Sequence, residues 1–302
     1  MTTSANPLRI GLAGTGPWAR NTQAPALAAH PGAVLSGVWG RRAEAAGELA
    51  AAHGVTAYTG DAGLDELFAA SDAVAFALPP DVQAPLAARA ASAGCHLLMD
   101  KPVATTVAGA REVAEAAEQA RVASIVFCTL RFAPETAAWI AEQEAVGDWF
   151  TARADWIGAL WAPGADSEYA ASPWRHEKGG LWDVGPHALS VLIPVLGDVT
   201  ALTASRGPAD AHHLLLRHTS GASSTVTLAL GAPPAAAGVE VQLRGGRGIA
   251  SLPRWDGAVG AFGAAVDALI ASVRTGEPHP CDVRFGLRLT ELLAEAEAQA
   301  GG

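Results

Sequence analysis

Cysteine is scarce: Cys95, Cys128 and Cys281 lie far apart in 302 residues and form no C-x-x-C pair. That odd, sparse set argues against a disulfide framework and for a reducing compartment. Clusters of Lys and Arg are also missing from a chain with formal net charge -10 and pI near 5.3. This excludes nucleic acid and anionic membrane surfaces as partners. The opening residues MTTSANPLRIGLAG have no basic segment ahead of an apolar run. No signal peptide is read there, and a cytoplasmic location is expected. Apolar stretches such as AVAFALPP stop well short of a membrane span. Charged residues make up 17% against 50% hydrophobic, which leaves no room for extensive disorder. His212, His213 and His218 lack regular metal-ligand spacing, so they read as surface strand residues and no metal site is expected.

What is present is rhythm. Short β-type runs at 8–13, 34–39, 55–58, 73–77, 96–99 and 124–128 alternate with Ala-rich helical stretches at 24–29, 43–53, 64–69, 84–93 and 107–119. Strands apolar on both faces, spaced by helices, predict a parallel sheet covered by helices. After residue 131 the rhythm changes. A helix at 134–144 leads into β-type runs at 150–157, 199–205, 212–217, 223–230 and 239–243, several separated by turn residues such as Thr219-Ser220-Gly221 and Gly245-Gly246. These predict an open, mostly antiparallel sheet, closed by helices at 261–273 and 285–300. The expected fold is α/β, with domains at 1–128 and 129–302.

Several stretches carry candidate chemistry. The first strand runs into Gly14-Thr-Gly16-Pro17-Trp18-Ala19, a G-x-G-x-x-A spacing. Such glycines let the backbone approach a pyrophosphate held at a helix N-terminus, although a turn that binds nothing can have the same composition. The second strand ends in Trp39-Gly40-Arg41-Arg42, with no acid for a ribose 2′-hydroxyl and two guanidinium groups suited to a 2′-phosphate. NADP(H) is therefore the expected cofactor, with NAD(H) as the alternative. The fifth strand ends in Asp100-Lys101-Pro102, where a lysine reaches the crevice above the sheet or lies at the surface. Further on, Gly179-Gly180-Leu-Trp-Asp183-Val-Gly185-Pro186-His187 would put Asp183 and His187 one turn apart on one face if helical. Histidine exchanges protons near neutral pH, as interconversion of an alcohol and a ketone requires. Trp156, Trp161, Tyr169, Trp174, Arg175 and His176 suit either a cyclic substrate or a packed loop.

Taken in order, the glycine loop, the Asp-Lys-Pro triplet and the Gly-Gly-x-x-Asp-x-Gly-x-His run resemble the glucose–fructose oxidoreductase / inositol dehydrogenase / rhizopine-catabolism (Gfo/Idh/MocA) family. Pro79-Pro80, Arg131-Phe132 and Thr275-Gly276-Glu277-Pro278 extend the resemblance over nearly the whole chain. It implies an N-terminal Rossmann domain with a doubly wound parallel sheet, a C-terminal α/β domain with an open antiparallel sheet, and hydride transfer between a nicotinamide and a sugar, keto-sugar or cyclic alcohol. His187 would be the principal acid/base, Lys101 the charge stabiliser and Asp183 the orienting carboxylate, with Trp174 and Arg175 also on the substrate. Gly14, Gly16, Pro17, Trp18, Arg41, Arg42, Pro79, Pro80, Lys101 and Pro102 would face the cofactor. A cis peptide before Pro102 and a homodimer or homotetramer through the C-terminal sheet are further implications. The chain departs from the pattern at Asp100, where Glu is usual, at Gln83, where many relatives have His, and at Ser190, where many carry an acid. The last points to a smaller or less hydroxylated substrate. Two rivals stay open: an NAD-assisted glycosidase or epimerase, and a cofactor-sensing protein without turnover.

Overall fold

A computed structural model describes residues 6–165 and 167–301. The chain divides into two compact units. The first holds the described residues up to Phe132 together with Asp256–Leu287, and the second holds Ala133–Trp255 with the described residues from Arg288 on. The backbone therefore passes between units after 132, 255 and 287, where the sequence suggested a single boundary at 128.

In the first unit, β1 (Leu8–Ala13), β2 (Ala33–Trp39), β3 (Thr56–Tyr58), β4 (Ala73–Phe76), β5 (His96–Asp100) and β6 (Ser124–Phe127) form one parallel sheet in the order β3-β2-β1-β4-β5-β6. The intervening helices are α1 (Ala24–Ala29), α2 (Ala43–His53), α3 (Gly60–Ala69), α4 (Pro80–Ser92) and α5 (Val107–Ala120). Every residue of β4 and of β6 is buried, as strands covered on both faces require. After β3 the chain returns to β4 on the other side of β1, so the strand order reverses between β1 and β4. Crevices at such points, beyond the carboxyl ends of the strands, are where open α/β sheets take ligands. A short helix, α6 (Thr129–Phe132), ends the first passage through this unit.

The second unit opens with α7 (Pro134–Val146) and β7 (Trp149–Ile157), followed by α8 (Pro173–Leu196). Its remaining strands are β8 (Val199–Arg206), β9 (His212–His218), β10 (Ser223–Ala229), β11 (Gly238–Gly245) and β12 (Gly248–Ser251). The sheet order is β12-β11-β7-β10-β9-β8, antiparallel except for the β7–β10 pair. That parallel pair follows from α8, because a crossover helix is the way a chain returns to a parallel strand. Residues 179–192 of α8 are buried throughout, Trp182 completely. Along β9 burial alternates, with His212, Leu214, Leu216 and His218 inward and Leu215 53% exposed on the opposite face.

The helix at 258–275, α9 (Ala258–Thr275), is long and apolar enough to cross a membrane by length and composition alone. It is a packed helix of the first unit. Ala261, Phe262, Ala265, Val266 and Leu269 are buried, and the Phe262 ring meets Phe127 edge-on at 5.1 Å. The last helix, α10 (Val283–Ala300), begins in the first unit and continues in the second.

Candidate functional site

The glycine loop follows β1 directly. Gly14 donates its N–H to the Trp39 carbonyl at 2.9 Å, which ties the loop to the end of β2. Its φ is +136°, and a Cβ there would run into the carbonyl of Ala77 beyond β4. Gly14 is thus required by the chain's own packing. Gly16 differs: a Cβ would meet no heavy atom of the described residues within 4 Å. The space it leaves lies outside the fold, as a loop that lets a ligand approach its backbone must provide. Behind the loop Ala19 is fully buried, and Gln23 donates to the Phe76 carbonyl at 2.8 Å. Pro17 and Trp18 are half-buried, and the Trp18 ring is tilted against Phe127 at 6.3 Å.

Arg41 and Arg42 come immediately after β2, exposed and without an ion-pair partner among the described residues. Arg20, which the sequence reading passed over, donates from Nη1 to the Thr15 carbonyl at 3.1 Å and adds a third guanidinium at the loop. Only its place in the first turn after the loop signals this role. Pro79 precedes α4 and Pro80 begins it, at the exit of β4.

Lys101 sits at the exit of β5, half-buried, and its bond to Pro102 is cis. The Asp100 carboxylate accepts the Lys101 backbone N–H at 2.8 Å, so the shorter acid closes a local turn. Gln83, fully buried on α4, donates from Nε2 to the carbonyls of Asp100, Pro102 and Val103 at 2.9, 3.2 and 3.2 Å. Its Oε1 accepts the Asp100 N–H at 3.1 Å. The sequence marks Gln83 as a departure, but its contacts appear only in the fold.

In the second unit the Gly-Gly run is the true start of the long helix. Gly179 has φ +66° and breaks α8, because a side chain there would occupy the Asp210 carboxylate. Asp210 accepts the Gly180 N–H at 2.5 Å and so caps the helix from a neighbouring hairpin. Ala209 and Asp210 hold left-handed φ values of 56° and 60° to deliver it. Residues 180–196 then run helically, with Asp183 and His187 one turn apart and each only 8% exposed.

The surroundings of this pair are aromatic and cationic. The His187 ring lies nearly flat on Trp156, with centroids 4.6 Å apart and planes at 18°, and Trp255 lies 6.1 Å beyond Trp156. Asp183 accepts from Arg175 Nε at 3.0 Å. The same guanidinium lies over Trp174 at 4.7 Å and Tyr169 at 5.4 Å. A second stack, Trp161 on His176 at 5.1 Å, stands in the same loop region. Ser190 is fully buried and donates to the His187 carbonyl at 2.8 Å, so its hydroxyl serves the helix.

The fold therefore gathers Trp174, Arg175, Asp183 and His187 in the second unit. It sets the glycine loop, Arg41, Arg42, Pro79, Pro80, Lys101 and Pro102 around the carboxyl ends of β1, β2, β4 and β5 in the first. One expectation is corrected: His212 and His218 are buried, and only His213 is exposed. Burial lowers the pKa of both. His218 is held between the Gly197 carbonyl and the Ser224 hydroxyl, both at 2.8 Å. Strand alternation put these rings inward, which composition alone did not reveal. Among the described residues no three His, Cys, Asp or Glu side chains form a metal-binding group.

Residues 8–127 match the family Gfo/Idh/MocA, described as an oxidoreductase family with an NAD-binding Rossmann fold. Solved structures share the whole architecture. The WlbA dehydrogenase from Bordetella pertussis, in complex with NADH and UDP-GlcNAcA, is 22% identical with a TM-score of 0.83, covering 98% of this chain and 97% of its own. GenD2 from gentamicin A biosynthesis, in complex with NAD, is 20% identical with a TM-score of 0.82, over 99% and 96%. The UDP-N-acetylglucosamine 3-dehydrogenase GnnA from Acidithiobacillus ferrooxidans is 18% identical with a TM-score of 0.81, over 98% of each chain. At these identities the likeness establishes the fold.

Proposed function

We propose, from the premise that the chain belongs through residues 8–127 to the Gfo/Idh/MocA oxidoreductase family, that it is a dehydrogenase or reductase of sugar-like substrates. The reaction is hydride transfer at a CH–OH or ketone carbon, and NADP(H) is the preferred cofactor. The bound nicotinamide supplies or accepts the hydride, while the side chains position the substrate and manage its proton. His187 exchanges the hydroxyl proton, Lys101 donates a hydrogen bond to the oxygen as negative charge develops, and Asp183 orients neighbouring hydroxyls.

The observation that carries this reading is the setting of His187. A buried imidazole lies flat on Trp156, one turn from a carboxylate paired with a guanidinium that itself lies over two rings. Aromatic faces bordered by a few fixed polar groups suit a sugar ring. The space at Gly16 and the unpaired Arg41 and Arg42 suit a pyrophosphate and a 2′-phosphate. Two of the structural relatives are dehydrogenases whose descriptions name UDP-sugars, which brings nucleoside-diphosphate sugars into the substrate range to be tested.

We also infer that the open face of the second sheet, where Leu215 is exposed, serves as a homo-oligomer surface, and that the protein works in the cytoplasm. Its three cysteines are buried thiols, in keeping with a reducing compartment.

The test begins with titration of NADPH and NADH followed by tryptophan fluorescence, then turnover assays with keto-sugars and nucleoside-diphosphate sugars. Tighter NADPH together with turnover of at least one sugar supports the reading. Tighter NADH removes the cofactor preference alone. Binding without turnover of any sugar favours the sensor, and no binding of either cofactor overturns the assignment of the glycine loop.

A further inference from the structure

We infer that Gln83 is a positioning residue for Lys101: its carboxamide fixes the turn after β5 through the backbone and does so without carrying a charge. This rests on the assignment of Lys101 to the reacting centre made above. The turn Asp100-Lys101-Pro102-Val103 presents three carbonyl oxygens and one N–H to the same side chain, all within 2.9–3.2 Å. An amide suits this set, because its two N–H donors, one of them shared between two of the carbonyls, and its acceptor lie on one plane. Neutral imidazole has one of each, so the histidine usual at this place in relatives would leave carbonyls unmet. Burial makes the match matter, since Gln83 is fully enclosed and an unmet carbonyl there has no water to turn to.

The consequence reaches Lys101 through its own main chain. Asp100 and Pro102, the residues on either side of it, are both bonded to Gln83, and the Asp100 carboxylate takes the Lys101 N–H. The ammonium therefore projects from a turn held on both flanks. A titrating side chain in place of Gln83 would make the turn depend on pH. Among the residues that Gln83 bonds, Asp100 is the one that carries a charge.

The chain offers a clean reporter, because Lys101 and Lys178 are its only lysines. Lys178 is ion-paired with Glu297 in the other unit and serves as the internal reference. The experiment acylates the full-length protein sparingly with acetic anhydride and reads the Lys101 to Lys178 ratio by peptide mass spectrometry. Gln83→Ala should raise the ratio at least about threefold, as the freed turn exposes the amine. Gln83→Glu matches the shape of Gln83 but sets an anion against three carbonyls. It should behave like the Ala variant near pH 8 and return part of the way to the wild-type ratio near pH 6, where the protonated acid has one O–H to give the carbonyls.

General unfolding would raise the labelling of both lysines and leave the ratio flat. A ratio unchanged in both variants at both pH values, with Lys178 labelled no more than in the wild type, overturns the clamp, even if wild-type enzyme turns over sugars. A raised ratio with no hydride transfer by the wild type leaves the clamp standing and removes the functional assignment of Lys101. Where a substrate is in hand, kcat should fall about tenfold in Gln83→Ala while the cofactor KM stays within about twofold.

Discussion

In the first unit the groups proposed to face the cofactor sit on loops, and those loops are held through their backbones. Gly14 bonds Trp39, Gln83 bonds the turn that carries Lys101, and Arg20 bonds Thr15. In the second unit the corresponding groups sit on one buried helix and are held through side chains. His187 lies on Trp156, Asp183 pairs with Arg175, and Arg175 lies over Trp174 and Tyr169. Backbone-held loops suit a ligand that is read through N–H groups and phosphates. Ring-held side chains suit a ligand read by shape, apolar faces and a few hydrogen bonds. Mutations should therefore separate the two units by what they impair.

The sharpest separation is expected at the groups proposed to meet the reacting atoms. His187→Ala and Lys101→Ala should each lower turnover about 10²- to 10⁴-fold while NADPH affinity changes by less than about threefold. Steady-state kinetics beside fluorescence titration checks this, and wild-type-like rates in both variants would sink the site. Next come the two glycines of the loop. Gly14→Ala should destabilise folding by about 2–4 kcal/mol through its strained φ and the clash with Ala77. Gly16→Ala should leave stability within about 0.5 kcal/mol yet weaken NADPH binding about tenfold. Equal effects of the two on urea unfolding would erase the distinction between a glycine the fold needs and one the ligand needs.

In the second unit, Asp183→Ala leaves Arg175 without its carboxylate in a setting where its side chain is 20% exposed. A loss of about 1–3 kcal/mol is expected, softened by the rings that still flank the guanidinium. Cofactor affinity, read by the same titration, should not follow. Arg41→Ala should cost about tenfold in NADPH affinity and nothing in NADH affinity.

The smallest effect concerns pH. His212 and His218 in the second unit, and His96 and His279 in the first, have pKa values lowered chiefly by burial. A lowered folded-state value means that the unfolded chain binds the proton first. Their contribution is therefore complete above the ordinary histidine pKa and declines as the pH falls below it. Urea unfolding between pH 7 and 5 should show stability decreasing with acid. His218→Gln should flatten part of that slope.

Much of this was legible in the residues. Runs such as AVAF and SIVF, apolar on both faces, identify a covered parallel sheet, and they are wholly buried. The two glycines of the loop and the four-residue spacing of Asp183 and His187 needed no more than the periods of strand and helix. What the sequence hid depends on side-chain contacts that no local period specifies. Gln83 meets Asp100, Arg175 meets Asp183 from before the helix break, and Asp210 caps Gly180 from a later hairpin. Nor does local pattern say which sheet an amphipathic helix will cover. Thus α9, reached after the second sheet is complete, packs in the first unit.

The sequence by itself determined the α/β class, the order of elements and the position of the cofactor loop, because these follow from local periodicity and turn chemistry. Only the tertiary structure decided which glycine serves packing and which leaves room for a ligand. It also decided which partner holds each polar side chain and which histidines are buried. Those outcomes depend on what lies across space from a residue, and neighbours along the chain do not encode it.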